Sequence, residues 1–176
     1  MQTRAIVRCA VLRDLDGVER LVAAFRDSLG RSRPTRAEIG GRLRRLFADS
    51  AVTIGVAAVD EHLLGYALQR RSFSLWSSGG AAVLEDLFVV AAMRGRGLGR
   101  RLVQHAITEA RGSGCETLSL DTNERNAASA ALYEGLGFTC ARARWEGGRQ
   151  IRYDLRLAEE QPVASGVVWG PWMVKW

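Results

Sequence analysis

Residues 82–99 read AVLEDLFVVAAMRGRGLG. A hydrophobic strand carrying two adjacent carboxylates runs into a loop of arginine and glycine, and a helix pattern follows at once. Glycine lets backbone N–H groups approach a ligand closely, and a helix N-terminus adds positive potential worth about 0.3–1 kcal/mol per charge. The stretch therefore predicts a strand–loop–helix unit that holds an anion, with acid–base groups just upstream.

Three phosphate motifs compete for this loop. A P-loop requires a Lys-Ser/Thr pair after its last glycine, which is missing. The dinucleotide fingerprint could start at Gly95 and Gly97, with Asp121 as its distal acid, but Arg100 stands where its third glycine belongs. The pattern R-x-x-G-x-G, with Arg94, Gly97 and Gly99, fits fully.

Working outward, residues 3–8 predict a first strand and residues 13–29 a helix, with Leu15, Val18, Leu21, Val22, Phe25 and Leu29 at helical spacing. Thr35, with Glu38 three residues on, predicts a capping box opening a second helix. AVTIGVAAV (51–59) and LLGYALQRR (63–71) predict a hairpin, and residues 81–90 a fourth strand after a glycine–serine loop. A third helix follows the arginine–glycine loop. ETLSLD (116–121) is a fifth strand, and NAASAALYEGLGF (126–138) a fourth helix capped by Asn126 and ended by glycine. Two closing strands flank Gly147 and Gly148. The order β-α-α-β-β-β-α-β-α-β-β is mixed α/β with mainly antiparallel hairpins, which excludes a doubly wound sheet.

The chain of 176 residues suits one domain, and 47% hydrophobic with 25% charged residues is ordinary for a globular protein. Its longest apolar runs are about half the roughly 20 residues that a membrane span needs. The N-terminus lacks the apolar core of a secretory signal, so the cytoplasm is expected. Net charge is +6, from 24 arginines and the single Lys175. The charges are scattered and the one dense run, GRLRRLF (41–47), reads as a solvated helix face, so nucleic acid is not the expected partner. Cys9, Cys115 and Cys140 have unrelated spacings, which fit neither a disulfide framework nor a zinc site; they read as small buried thiols, and no metal is expected. Residues 158–176 differ in kind, with two of the three prolines and three of the five tryptophans. This tail fits packing on the domain or burial in a homodimer interface.

Taken together, RGRGLG (94–99) after a fourth strand and Asn126, Tyr133, Gly137 and Phe138 in NAASAALYEGLGF resemble the GNAT superfamily of acyl-CoA-dependent N-acetyltransferases. The resemblance covers about residues 3–157, leaving 158–176 as a separate tail. It implies the GNAT fold, a mixed and mainly antiparallel sheet flanked by about four helices. It implies acetyl-CoA as co-substrate, its pyrophosphate on Arg94, Gly95, Arg96, Gly97, Leu98 and Gly99, and its pantetheine arm along Leu87, Phe88 and Val89. Asn126 would touch the same arm. The proline common after the fourth strand is replaced by Ala91.

An attacking amine must be neutral, which for a lysine-like group costs about 5 kcal/mol at pH 7. A base offsets part of that. Strict strand alternation puts Glu85 on one face with Leu87 and Val89, and Asp86 on the other, so Glu85 is the first candidate. Asp121, at the end of the fifth strand, is the second, since peptide-amine acetylating relatives use a glutamate there. Tyr133 occupies the family's position for the donor of a proton to the leaving thiolate; packing against the cofactor is its plainer role.

The stretch VLEDLFV is similar to a strand of the diamine (polyamine) acetyltransferases. Trp76 lies one residue from their site tryptophan, while Ser74 replaces an acidic residue of theirs. A small-molecule primary amine is the expected acceptor. A peptide amine, or a non-catalytic acyl-CoA-binding module, are the alternatives.

Overall fold

A computed structural model describes residues 5–73, 79–123 and 125–139, together with the backbone of 144–145 and 148–149. Trp76, Ser74, Cys140 and the tail 158–176 lie outside the described residues.

The order is β1 (Ile6–Cys9), a 3-10 turn (Leu12–Asp14), α1 (Leu15–Ser28), α2 (Arg36–Ala48), β2 (Val52–Val59), β3 (His62–Phe73), β4 (Gly80–Val89), a 3-10 turn (Ala91–Met93), α3 (Leu98–Gly112), β5 (Cys115–Leu120) and α4 (Ala127–Glu134). The two-residue strands β6 (Arg144–Trp145) and β7 (Gly148–Arg149) pair antiparallel, and the rest of the closing strands expected around Gly147 and Gly148 lies outside the described residues. The main sheet has the order β1-β2-β3-β4-β5. Its first three pairings are antiparallel, and β4–β5 is parallel through the α3 crossover.

Two apolar layers enclose the sheet. Val18, Leu21 and Phe25 of α1 and Ile39 and Leu43 of α2 pack on Ile54, Val56, Tyr66, Leu68 and Phe88. On the other face Leu98, Leu102, Val103 and Ala106 of α3 and Tyr133 of α4 pack on Ala57, Ala67, Leu84, Leu87 and Val89. Burying one helical stripe per face is the main stabilising term for such a sandwich. α2 begins as expected. Thr35 accepts the Glu38 N–H at 3.3 Å, and the Glu38 carboxylate accepts the Thr35 N–H at 2.6 Å.

Two expectations fail. Cys9 is exposed and Cys115 half-buried, so they are not the buried thiols expected. Strict alternation along β4 fails as well. Its register against β3 jumps, with Leu68 opposite Asp86 but Gln69 opposite Leu84, which leaves Glu85 as a bulged extra residue. The bulge lets Leu84 and Leu87, three residues apart, both face α3. Glu85 consequently turns to the α1/α2 face instead of sharing a face with Leu87 and Val89. It meets Arg70 there, beside Asp86, which faces that side as expected and meets Tyr66.

Gly65 fixes how closely β3 approaches β4. A Cβ there would stand 2.6 Å from the Phe88 carbonyl oxygen. Gly65→Ala is therefore expected to cost about 2 kcal/mol or more, read as a lower urea midpoint at unchanged slope.

Candidate active site

β5 pairs with β4 only from Gly80 to Leu84, and beyond that point the two strands have no paired residues. β4 runs on to Val89, so among the described residues its last positions have no strand partner on that side. At the end of this edge a cavity of about 330 Å³ opens. Leu87, Phe88 and Val89 form its floor, Arg94, Gly95, Gly97, Leu98 and Gly99 one wall, and Asn126, Ser129 and Leu132 the wall on α4. Phe25 and Ser28 at the end of α1 close the remaining side.

The loop wall is shaped by glycine. Gly95 and Gly97 have φ of 72° and 77°, in the left-handed region that side chains disfavour. Gly97 is the N-cap of α3 and supplies no side-chain cap. The first helical bond made to the Gly97 carbonyl comes from Arg101 N–H, at 3.1 Å. Helix geometry leaves the N–H groups before it without intrahelical acceptors, at the wall of the cavity. Arg94 turns back over this corner: its Nε donates to the Val89 carbonyl at 3.0 Å and its guanidinium lies 5.7 Å from the Phe88 ring centre. This corner can take a diphosphate, and the bare β4 edge can take an extended amide-bearing arm by strand-like pairing.

Of the residues expected to hold acyl-CoA, nine line the cavity: Leu87, Phe88, Val89, Arg94, Gly95, Gly97, Leu98, Gly99 and Asn126. Arg96 is exposed and is not among the lining residues. Asn126 both caps α4, accepting the Ser129 N–H at 3.1 Å, and lines the cavity.

The acid–base candidates separate. Glu85 accepts from Arg70 Nε at 2.9 Å, and Arg70 also pairs with Asp49 at 2.9 Å. Asp121 is exposed beyond β5, away from the cavity lining. Tyr133 is 3% exposed, its ring 5.7 Å from that of Phe138, and burial raises its phenol well above the usual range. It lies in the layer behind Ser129 and Leu132, which face the cavity.

The group that sequence reasoning passed over is Asp86. It is half-buried, and the buried Tyr66 hydroxyl donates to its Oδ2 at 3.2 Å. Burial pushes its carboxyl up to about 6; neighbouring Glu85 adds to the rise and the Tyr66 bond opposes it. Tyr66 packs with Phe25 and Phe88, which line the cavity, at centroid distances of 6.5 and 6.4 Å. Asp86 thus lies on the α1/α2 face of β4, one residue before the cavity-lining Leu87, and does not itself line the cavity. No local signal in the sequence marks it: the break in alternation shows only when Leu84 and Leu87 are both seen packed against α3.

The Acetyltransferase (GNAT) family model matches residues 18–138. The aminoglycoside N(6')-acetyltransferase type 1 of Klebsiella aerogenes is 36% identical over 106 residues, 59% of this chain and 70% of that protein. The [ribosomal protein bS18]-alanine N-acetyltransferase of Salmonella typhimurium is 44% identical over 63 residues, 36% of this chain and 43% of that protein. Among solved structures, one described as a probable acetyltransferase superposes with a TM-score of 0.75 at 25% identity, covering 88% of this chain and 99% of that one.

Proposed function

This chain belongs to the Acetyltransferase (GNAT) family and is an acetyl-CoA-dependent N-acetyltransferase, and we propose that it acetylates a primary amine of a cationic small molecule of the aminoglycoside class. The carrying observation is the acidic cluster on β4 and its neighbours, on the α1/α2 face of the sheet, one residue along β4 from the cavity-lining Leu87. Asp49 and Glu85 both pair with the one guanidinium of Arg70, and Asp86, next to Glu85 on β4, bonds to the Tyr66 hydroxyl instead, so carboxylates outnumber cations among these four residues. A polycationic amine gains there by Coulomb attraction, about 4 kcal/mol per unit pair at 4 Å in a surface-like dielectric before desolvation.

In this reading the loop from Arg94 to Gly99 binds the diphosphate of acetyl-CoA, and the Leu87–Val89 edge aligns its arm. A backbone N–H of that edge faces the thioester oxygen as negative charge develops on it. The two acidic neighbours divide the work. Glu85, tied to Arg70, helps hold the positive end of the acceptor. Asp86 takes the proton from its ammonium, directly or through a water, so that the neutral amine attacks the thioester carbon. The C–S bond breaks and the thiolate leaves as a proton comes to it from Tyr133, one helical turn after the cavity-lining Ser129. The phenol keeps its proton at neutral pH and must turn from its place beside Phe138 to reach the sulfur. Asp121 stands as a second base for acceptors that enter past β5. Acetyl-CoA as donor fits a reaction in the cytoplasm.

Tyr133→Phe is expected to lower kcat about 10–100-fold with acetyl-CoA affinity unchanged, since only the proton donor is removed. Stopped-flow thiol release beside calorimetric titration separates the two quantities.

A specific observation favours a second acceptor class, the N-terminal amine of a peptide. That is the 44% identity to the ribosomal-protein alanine acetyltransferase over 63 residues. Thiol release with an aminoglycoside panel and with alanine-led peptides decides between them. Turnover with peptides alone would overturn the small-molecule reading.

A further inference from the structure

We propose that Cys9, His105 and Glu109 form a zinc site that ties the edge strand β1 to α3, apart from the acyl-transfer cavity. One ligand comes from the last residue of β1, and two come from α3 at i, i+4 spacing, which stacks them on one helix face. Cys9 Sγ lies 3.5 Å from His105 Nε2, across 96 residues of sequence. A tetrahedral zinc with bonds of about 2.3 Å to sulfur and about 2.0–2.1 Å to nitrogen would set those atoms about 3.6 Å apart. The ligand atoms of all three residues lie within 4.8 Å of one another, so a contraction of about 1 Å at the widest pair, within reach of the flexible Glu109 side chain, closes them on one ion. The exposure of Cys9 leaves the fourth position open to water.

The surroundings admit this arrangement. Gly55 is the β2 partner of Cys9, and a Cβ there would stand 2.8 Å from His105 Cδ2. The missing side chain is what lets the imidazole lie across the strand beside the thiol. Arg101 donates to the Ala5 carbonyl at 2.6 Å, which fixes α3 against β1 one turn before His105. Arg8, the basic neighbour of Cys9, is held in a two-bond pair with Asp14 at 2.6 and 2.9 Å and does not occupy the carboxylate of Glu109. A thiolate, an imidazole and a carboxylate together suit zinc and exclude calcium and magnesium, which take oxygen ligands. His105 lies about 10 Å along α3 from Leu98, so the ion would be separate from the phosphate corner. The family reading does not supply this site. Sequence spacing hides it, because no two of the three residues that include the cysteine are near in the chain.

The test is titration of the metal-free full chain with zinc chloride alone, followed by calorimetry and thermal melting. One ion per chain is expected, with a Kd of about 10 µM or tighter and a Tm raised by about 5 °C or more at a hundredfold excess over Kd. Cobalt(II) should give a near-ultraviolet thiolate charge-transfer band. Cys9→Ser and His105→Ala should each weaken binding at least about 10-fold and remove or shift that band, while Cys115→Ala changes neither. Circular dichroism of each variant reports whether it is folded. Absence of stoichiometric binding overturns the proposal, leaving only a thiol–imidazole hydrogen bond. Equal affinity in folded Cys9→Ser, or a cobalt spectrum without the thiolate band, overturns it too.

Discussion

Asp86→Asn is expected to lower kcat/KM for the amine about 100–1000-fold while leaving acetyl-CoA affinity unchanged. The amide keeps the shape and can still accept from the Tyr66 hydroxyl, which donates at 3.2 Å, but it cannot take a proton. The acid limb of the pH profile should go with it. In the native enzyme kcat/KM rises as Asp86 loses its proton and flattens above about 6, the value to which burial brings this carboxyl. In the variant that limb should vanish. If instead the limb persists in Asp86→Asn and disappears in Glu85→Gln, the base is Glu85.

The same substitution should stabilise the fold, and the sign follows from the direction of the shift. The folded carboxyl titrates at about 6, above its unfolded value of about 3.9. Below the unfolded value both states hold the proton and there is no penalty. Between the two values the unfolded chain ionises first, so native stability falls as pH rises, and above about 6 the whole penalty is present. Asn removes it, for a gain of about 1–3 kcal/mol at pH 7.5 that shrinks to nothing near pH ~3. A group that costs stability and supports turnover is what a working base in a half-buried site should be. Urea melts at the two pH values check the gain.

Gly97→Val carries the other large effect, an acetyl-CoA Kd raised about 10–100-fold. Its φ of 77° is strained for a β-branched residue, and relaxing it rotates the first N–H groups of α3 away from the cavity. No atom lies within 4 Å of the Cβ position at Gly97, so the loss cannot be charged to a clash. Gly97→Asn is the control. Asparagine tolerates the left-handed region and should retain most of the affinity. Equal losses for both variants would mean that side-chain bulk, not backbone shape, governs binding.

Much of this was legible from residue order. The capping box at Thr35, the apolar stripes of α1 and α3, the strand–loop–helix unit and the Asn126 cap all follow from local rules, and they recur in the structure. The Arg94–Gly99 corner was legible as a glycine-rich turn between a strand and a helix, while Leu87, Phe88, Val89 and Asn126 were reached only through the family resemblance; all of these but Arg96 line the cavity. What failed was non-local. The bulge at Glu85 answers the packing of Leu84 and Leu87 against α3, and it moves Glu85 to the face where Asp86 was already expected; there Arg70 claims one carboxylate and Tyr66 the other. Tyr133 was placed on the correct helix, but its depth behind Ser129 and Leu132 depends on Phe138 and α3. Cys9 and His105 meet only because β1 is the sheet edge beside α3, which no spacing encodes.

The central claim is that the turn from Arg94 to Gly99 and the bare β4 edge together hold acetyl-CoA. Backbone amide NMR during an acetyl-CoA titration addresses it most directly. Saturable shifts are predicted at Gly95, Gly97, Leu98 and Gly99 and, with the same Kd, at Leu87 and Val89. Tight binding with those six amides unmoved would contradict it.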